Sequence, residues 1–164
     1  MNRALTTALL SVGLAQLAKV PLAYQQTGRL DWSNLLRTGG MPSSHSAGVA
    51  ALASYVALKR GVTSIHFATA SMLGLIVMFD AMGIRRQAGI IATEVNDLGD
   101  TVALMAEKDP SLGHEKREKQ LEERLGHIPQ EVLGGALMGT FIGAGSFLLE
   151  KPTRKRKFFI PWFG

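Results

Sequence analysis

Four stretches of the chain, about 4–24, 44–58, 63–84 and 132–149, are nearly free of charge, and polar segments separate them. A helix needs about 20 apolar residues to cross a bilayer. The first, third and last stretches approach that length. The second is shorter, and crosses only if His45 and Lys59 at its ends sit among headgroups. It is rich in Ala, Ser and Gly, and the last stretch carries Gly134, Gly135, Gly139, Gly143 and Gly145, residues that let helix backbones approach closely in lipid. The first stretch does not read as a signal peptide. Gln16 and Lys19 lie in its second half, and no small-residue cleavage pattern follows.

A fifth segment, 88–106, places Ile90, Ile91, Val95, Leu98, Val102 and Met105 at helical spacing but also carries Glu94, Asn96, Asp97 and Asp100. Three carboxylates at mid-bilayer depth would be too costly without partners. The segment is therefore expected to lie along the surface or dip into it, and residues 107–124, where charges crowd, form an aqueous excursion. The pattern predicts an all-α integral membrane helical bundle of about four spanning helices plus one amphipathic or re-entrant helix. All of 1–164 is read as one membrane-embedded domain.

Composition adds less. The chain is 46% hydrophobic with a mean hydropathy of +0.14, averages that conceal the uneven pattern. Cysteine is absent, which removes disulfide and thiolate chemistry. A net charge of +5 and a pI near 9.8 raise the question of nucleic acid. Much of that excess lies between Lys151 and Lys157, directly after the last apolar stretch, where it reads as a membrane anchor, so no nucleic-acid partner is assigned. Counting crossings puts Arg3, Lys59, Arg60 and this tail on one face. The positive-inside rule makes that face cytoplasmic, in the cytoplasmic membrane, and the opposite face extracytoplasmic. A bundle this thin is also compatible with a homodimer across a glycine-lined seam.

The opposite face gathers the chemistry. The turn Gly39-Gly40-Met41-Pro42-Ser43-Ser44-His45-Ser46 opens the second helix: its glycines allow close approach, and Ser43 or Ser44 can cap. A helix N-terminus attracts anions, phosphate above all, and His45 in the first turn is placed to pass a proton to a leaving oxygen. Asp80 precedes Arg85 and Arg86, whose planar forks suit phosphate oxygens and which equally suit a topological anchor; Asp80 is expected to orient one of them. Lys19 near the end of the first helix either faces a polar cavity or snorkels to the interface. In Leu125-Gly126-His127-Ile128-Pro129-Gln130-Glu131, the carboxylate four residues beyond His127 can hold one imidazole nitrogen and leave the other as nucleophile, or can cap the helix instead. Glu94, Asp97 and Asp100 read as a solvated face in preference to magnesium ligands, His66 as interfacial, and His114 as solvated; no metal or cofactor is assigned.

Taken together, these motifs resemble the divergent branch of the type-2 phosphatidic acid phosphatase superfamily, related to acid phosphatases and vanadium-dependent haloperoxidases. The resemblance covers nearly the whole chain, from Ala15–Val20 through Gly40–Ala47 and Asp80–Arg86 to Leu125–Val132. The superfamily pattern is a lysine with an arginine seven residues on, then Pro-Ser-Gly-His, then Ser-Arg with a histidine six residues later and an aspartate four beyond that. By resemblance Lys19 stands for the first lysine, Ser43-Ser44-His45 for the middle motif, and His127 with Glu131 for the last histidine and its carboxylate. Gln26, Ser44 and Leu121 depart from the pattern, and Arg85, Arg86 and Arg37 are candidates to supply the missing guanidiniums. The resemblance implies a metal-independent phosphatase in which Lys19, Ser43, Ser44, Arg85, Arg86 and Arg37 bind phosphate. His127, oriented by Glu131, would attack phosphorus, and His45 would act as the acid. A lipid phosphate or polyprenyl diphosphate is the implied substrate. The rival from another class is a lipid-phosphate binder or carrier without chemistry; a vanadate-dependent peroxidase ranks lower, since an embedded site offers halide no evident route.

Overall fold

The computed structural model describes residues 2–30, 32–35, 39–109, 119–123 and 125–150. Every regular element among them is helical: α1 Arg3–Thr27, a single 3-10 turn Trp32–Leu35, α2 Ser44–Arg60, α3 Ile65–Met82, α4 Ile84–Lys108 and α5 Pro129–Leu148. The boundaries follow local chemistry. Asn2 caps α1 by accepting from the amides of Ala4 and Leu5, and Gly28, with φ of 66°, ends it in the left-handed region. Ser43 caps α2 and Ser64 caps α3, each through its hydroxyl. Pro129 opens α5 at a position where its missing N–H is no loss.

The expected third apolar stretch and amphipathic segment meet at Gly83, which ends α3 and begins α4. Helix α4 therefore starts at Ile84, four residues before the sequence pattern placed it, and Arg85 and Arg86 lie in its first turn instead of a connecting loop. One side of α4 buries Gly89, Ala92 and Asn96. Ile91, Val95 and Leu98 remain exposed, as do Glu94 and Asp97.

Helix α2 lies at the centre and packs on α1, α3 and α5. Its seam with α5 is the tightest: a Cβ at Gly135, Gly139 or Gly143 would run into the backbone of Ser43, Ala47 or Ala51 respectively. These numbers rise together along both helices, so α2 and α5 are parallel. Helix α1 is antiparallel to them, with Ser11 Oγ donating to Ala47 O at 2.9 Å and Thr7 Oγ1 2.6 Å from Ser146 Oγ. Gly74 of α3 faces Val49 of α2.

Most buried positions are small or hydroxylated, such as Ala15, Ala47, Ala51, Ser11 and Ser46, while Leu9, Leu75, Ile76, Leu137 and Phe141 face outward. A soluble protein would invert that distribution. In hydrocarbon, where burying leucine gains nothing, close backbone packing holds the helices together. Helix α1, the run Ile65–Lys108 that contains α3, and α5 are long and apolar enough to cross a membrane. Helix α2 has 17 residues, about 25 Å of rise, and its register on α5 puts it at the same depth.

Candidate functional site

Local folding brings three chain segments to one end of α2. Gly126, with φ of 81°, turns the chain so closely over α4 that a Cβ there would strike the backbone of Arg85 and Arg86. The turn is fixed from both sides: Asn96, 8% exposed, donates to Leu121 O at 3.0 Å and accepts from Leu121 N at 2.9 Å, and the His127 amide donates to Ala81 O at 2.9 Å. His127 is thereby carried into the bundle, where it is 5% exposed. The Ser43 amide donates to Glu131 O at 3.0 Å, which ties the start of α2 to the first turn of α5.

His127 Nδ1 lies 2.8 Å from Glu131 Oε2. An ionised carboxylate can only accept, so Nδ1 donates its hydrogen to Oε2, and in the neutral imidazole that tautomer leaves the lone pair on Nε2. The same Oε2 accepts from the Ile128 amide at 3.3 Å. The two roles weighed for Glu131, orienting the imidazole and capping α5, are thus performed together. His45, on the open side of the turn, has its ring centroid 6.3 Å from that of His127 at an interplanar angle of 64°. That is too far for a hydrogen bond between the rings, and near enough for both to reach one bound group.

Charges converge on this pair. His45 lies within electrostatic reach of Arg85, His127, Lys19 and Asp80, and Lys19 within reach of Glu131. Lys19 is buried, facing the bundle and not snorkelling outward. Arg85 Nε donates to Asp80 Oδ2 at 2.6 Å, the pairing in which Asp80 orients a guanidinium. Arg86 is the next residue of α4, about 100° further round the helix, and no ion pair to it is seen among the described residues.

Ser43 and Ser44 are placed differently from phosphate ligands reaching outward. Ser43 is 0% exposed, its hydroxyl accepting from Ser46 Oγ at 3.0 Å as well as from the Ser46 amide, so what it contributes is the position of His45. Ser44 is buried too, and the amides of Ser44 and His45 have no acceptor among the described residues, which leaves two donors at the helix start. Arg37, His114 and the basic tail at 151–157 lie outside the described residues.

Similarity to known proteins supplies the family. The model of the divergent PAP2 family matches residues 1–142. The chain belongs to that family. A divergent PAP2 relative from Bacillus subtilis (strain 168), described as the uncharacterized membrane protein YuiD, is 42% identical over 144 residues, covering 86% of this chain and 91% of the relative. No solved structure matches the chain. The kinship and the apolar helices make this divergent PAP2 protein an integral membrane protein.

Two residues escaped sequence reasoning. Asn96 looks like one more polar residue beside Glu94 and Asp97, yet it holds the turn that delivers His127. Gln16, one turn before Lys19 on α1, has a buried Oε1 without a hydrogen-bond donor among the described residues. Leaving a buried acceptor unpaired costs about 1–3 kcal/mol. The only sequence signal for either was a polar residue inside an otherwise apolar or amphipathic helix.

Proposed function

We propose that this protein is a membrane phosphatase that hydrolyses a lipid phosphate or polyprenyl diphosphate through a phosphohistidine. The observation that carries the reading is buried His127 paired with Glu131 at 2.8 Å and facing His45 across 6.3 Å between ring centroids.

His127 Nε2 attacks phosphorus as the bond to the leaving oxygen breaks, and protonated His45 gives that oxygen its proton. The new P–N bond leaves the imidazole positive, and Glu131 stabilises that charge through Nδ1–H. Neutral His45 then takes a proton from water, whose oxygen attacks phosphorus; the P–N bond breaks, inorganic phosphate departs and both histidines are restored. Arg85, held by Asp80, Lys19 and the amides at the start of α2 stabilise the negative charge that spreads over the phosphoryl oxygens. Placement of these groups at the end of a membrane-embedded bundle supports a substrate whose phosphate lies in the headgroup layer.

The test is phosphate release by the purified protein in detergent, with EDTA, from phosphatidate, phosphatidylglycerophosphate and undecaprenyl diphosphate. Release from at least one, abolished in His127→Ala and in His45→Ala, is expected; release from none rejects the enzyme. A lipid-phosphate binder without turnover is favoured by one observation, that Leu121 sits on Asn96 at the position where the superfamily pattern has an arginine. Acid quenching separates the two, because only the enzyme forms an acid-labile, base-stable phosphoprotein.

A further inference from the structure

Helices α1 and α3 both lie on α2 and do not approach each other. At the end of the bundle remote from His45, the space between them holds a cavity of about 640 Å³, within the range of sites that take small molecules. Leu52, Tyr55 and Val56 of α2 form its floor, the start of α1 one wall, and α3 with Leu73 the other. Three cations line it: Arg3, Lys59 and Arg60.

Lys59 is held in place. Its Nζ lies 2.9 Å from Glu150 Oε1 and 3.0 Å from the Tyr55 hydroxyl, which itself donates to Glu150 Oε2 at 2.9 Å. Glu150 is engaged by that ammonium, and among the described residues no carboxylate pairs with Arg3 or Arg60, which stand as positive charge beside an apolar floor. Such a combination is selective for an amphiphile with an anionic head. Hydrocarbon alone would be satisfied by any acyl chain, and a soluble anion would have no use for Leu52, Val56 and Leu73. Arg3 Nη2 also donates to Ser146 O at 3.3 Å, which holds the α1 wall against α5 while its other nitrogens remain for a ligand.

We infer that this cavity is an anionic-phospholipid site at the opposite end of the bundle from His45 and His127, binding the lipid phosphate on Arg3 and Arg60 and an acyl chain along Leu52, Val56 and Leu73. It rests on the bundle's membrane location and not on phosphatase chemistry. A lipid bound there fills the gap between α1 and α3 at the depth of the other leaflet's headgroups.

Native mass spectrometry of the full chain in detergent, titrated with dioleoyl phosphatidylglycerol or dioleoyl phosphatidylcholine, tests it. The wild type is expected to retain the anionic lipid in preference. The double variant Arg3→Gln/Arg60→Gln should weaken that binding about thirtyfold, the effect of two cations near a membrane surface. Leu73→Trp, which fills the cavity without touching charge, should weaken it as well, so that a charge variant that fails to fold leaves a second measurement. An excess of inorganic phosphate should not displace the lipid. Equal retention of the two lipids, undiminished binding in the variants that fold, or displacement by phosphate alone would each overturn the inference. Preferential binding lost in these variants, by a protein that releases no phosphate from any substrate, would uphold this site and reject the phosphatase.

Discussion

Glu131→Gln removes a charge from the site and keeps its shape. Glu131 Oε2 accepts from His127 Nδ1 at 2.8 Å and from the Ile128 amide at 3.3 Å. A glutamine oxygen can accept both bonds, and glutamine serves in a capping box much as glutamate does, so the start of α5 is retained. What disappears is the negative charge facing an imidazole that, on the proposed mechanism, becomes cationic when phosphorylated. Hydrogen bonds to a charged group contribute about 1.5–3 kcal/mol against about 1 kcal/mol for neutral pairs. The difference, roughly 0.5–2 kcal/mol, converts to a rate reduced about two- to thirtyfold. If the amide turns its NH₂ toward Nδ1, the imidazole is forced into the wrong tautomer, and the equivalent change in a Ser-His-Asp triad costs about 10⁴ in kcat. The assay is initial-rate phosphate release from phosphatidate in mixed micelles, with thermal melting of wild type and variant measured alongside. Turnover equal to wild type at an unchanged Tm would refute the orienting role. A fall in Tm that accounts for the lost activity would assign Glu131 to helix capping alone.

Arg85→Ala should lower kcat/KM at least about tenfold further than Arg86→Ala, because only Arg85 is steered by Asp80 toward His45; equal losses in the two variants would refute that distinction. Gly139→Ala should destabilise the detergent-solubilised protein by about 1–3 kcal/mol, since its methyl group meets the Ala47 backbone, which cannot swing aside; a melting curve identical to wild type would contradict the close seam. Asn96→Ala removes the bonds to Leu121 and Glu123, at a cost of about 1–3 kcal/mol. The loss should appear as faster hydrogen exchange at the Leu121 amide more than as global unfolding, and unchanged protection there would refute the tether.

Hydropathy alone located α1, α3 and α5, because a bilayer demands long uncharged helices and little else resembles them. The junction at Gly83 was not legible: apolar residues continue through Ile84, and only the backbone shows that the chain ends one helix and begins another there. His45, His127 and Glu131 stood out from spacing and from family resemblance. Their approach to one another depended on how many segments cross the membrane, which turned on reading 88–106 as a surface helix. Asn96 was hidden by its neighbours, since polarity in a pattern cannot tell an amide facing water from one bonding a distant backbone. The cavity beside Arg3 and Arg60 has no motif at all. It exists because α1 and α3 fail to meet, a property of packing and of no single residue.

The small-residue seam does more than permit close packing, for it sets where the two imidazoles stand. Ser43, Ala47 and Ala51 face Gly135, Gly139 and Gly143, so a spacing of four on α2 is matched by a spacing of four on α5. His45 lies just beyond the first contact on one helix, and His127 with Glu131 just before the first contact on the other. Parallel helices carry both to the same depth. A slip of one turn along the seam would displace one helix by about 5.4 Å. The bond from the Ser43 amide to Glu131 O would break and the rings would separate beyond any shared ligand. Because hydrocarbon supplies no hydrophobic force between helices, the absence of side chains at these three glycines is what keeps the register. The placement of the two imidazoles is therefore set by contacts that run well into the bundle beyond them.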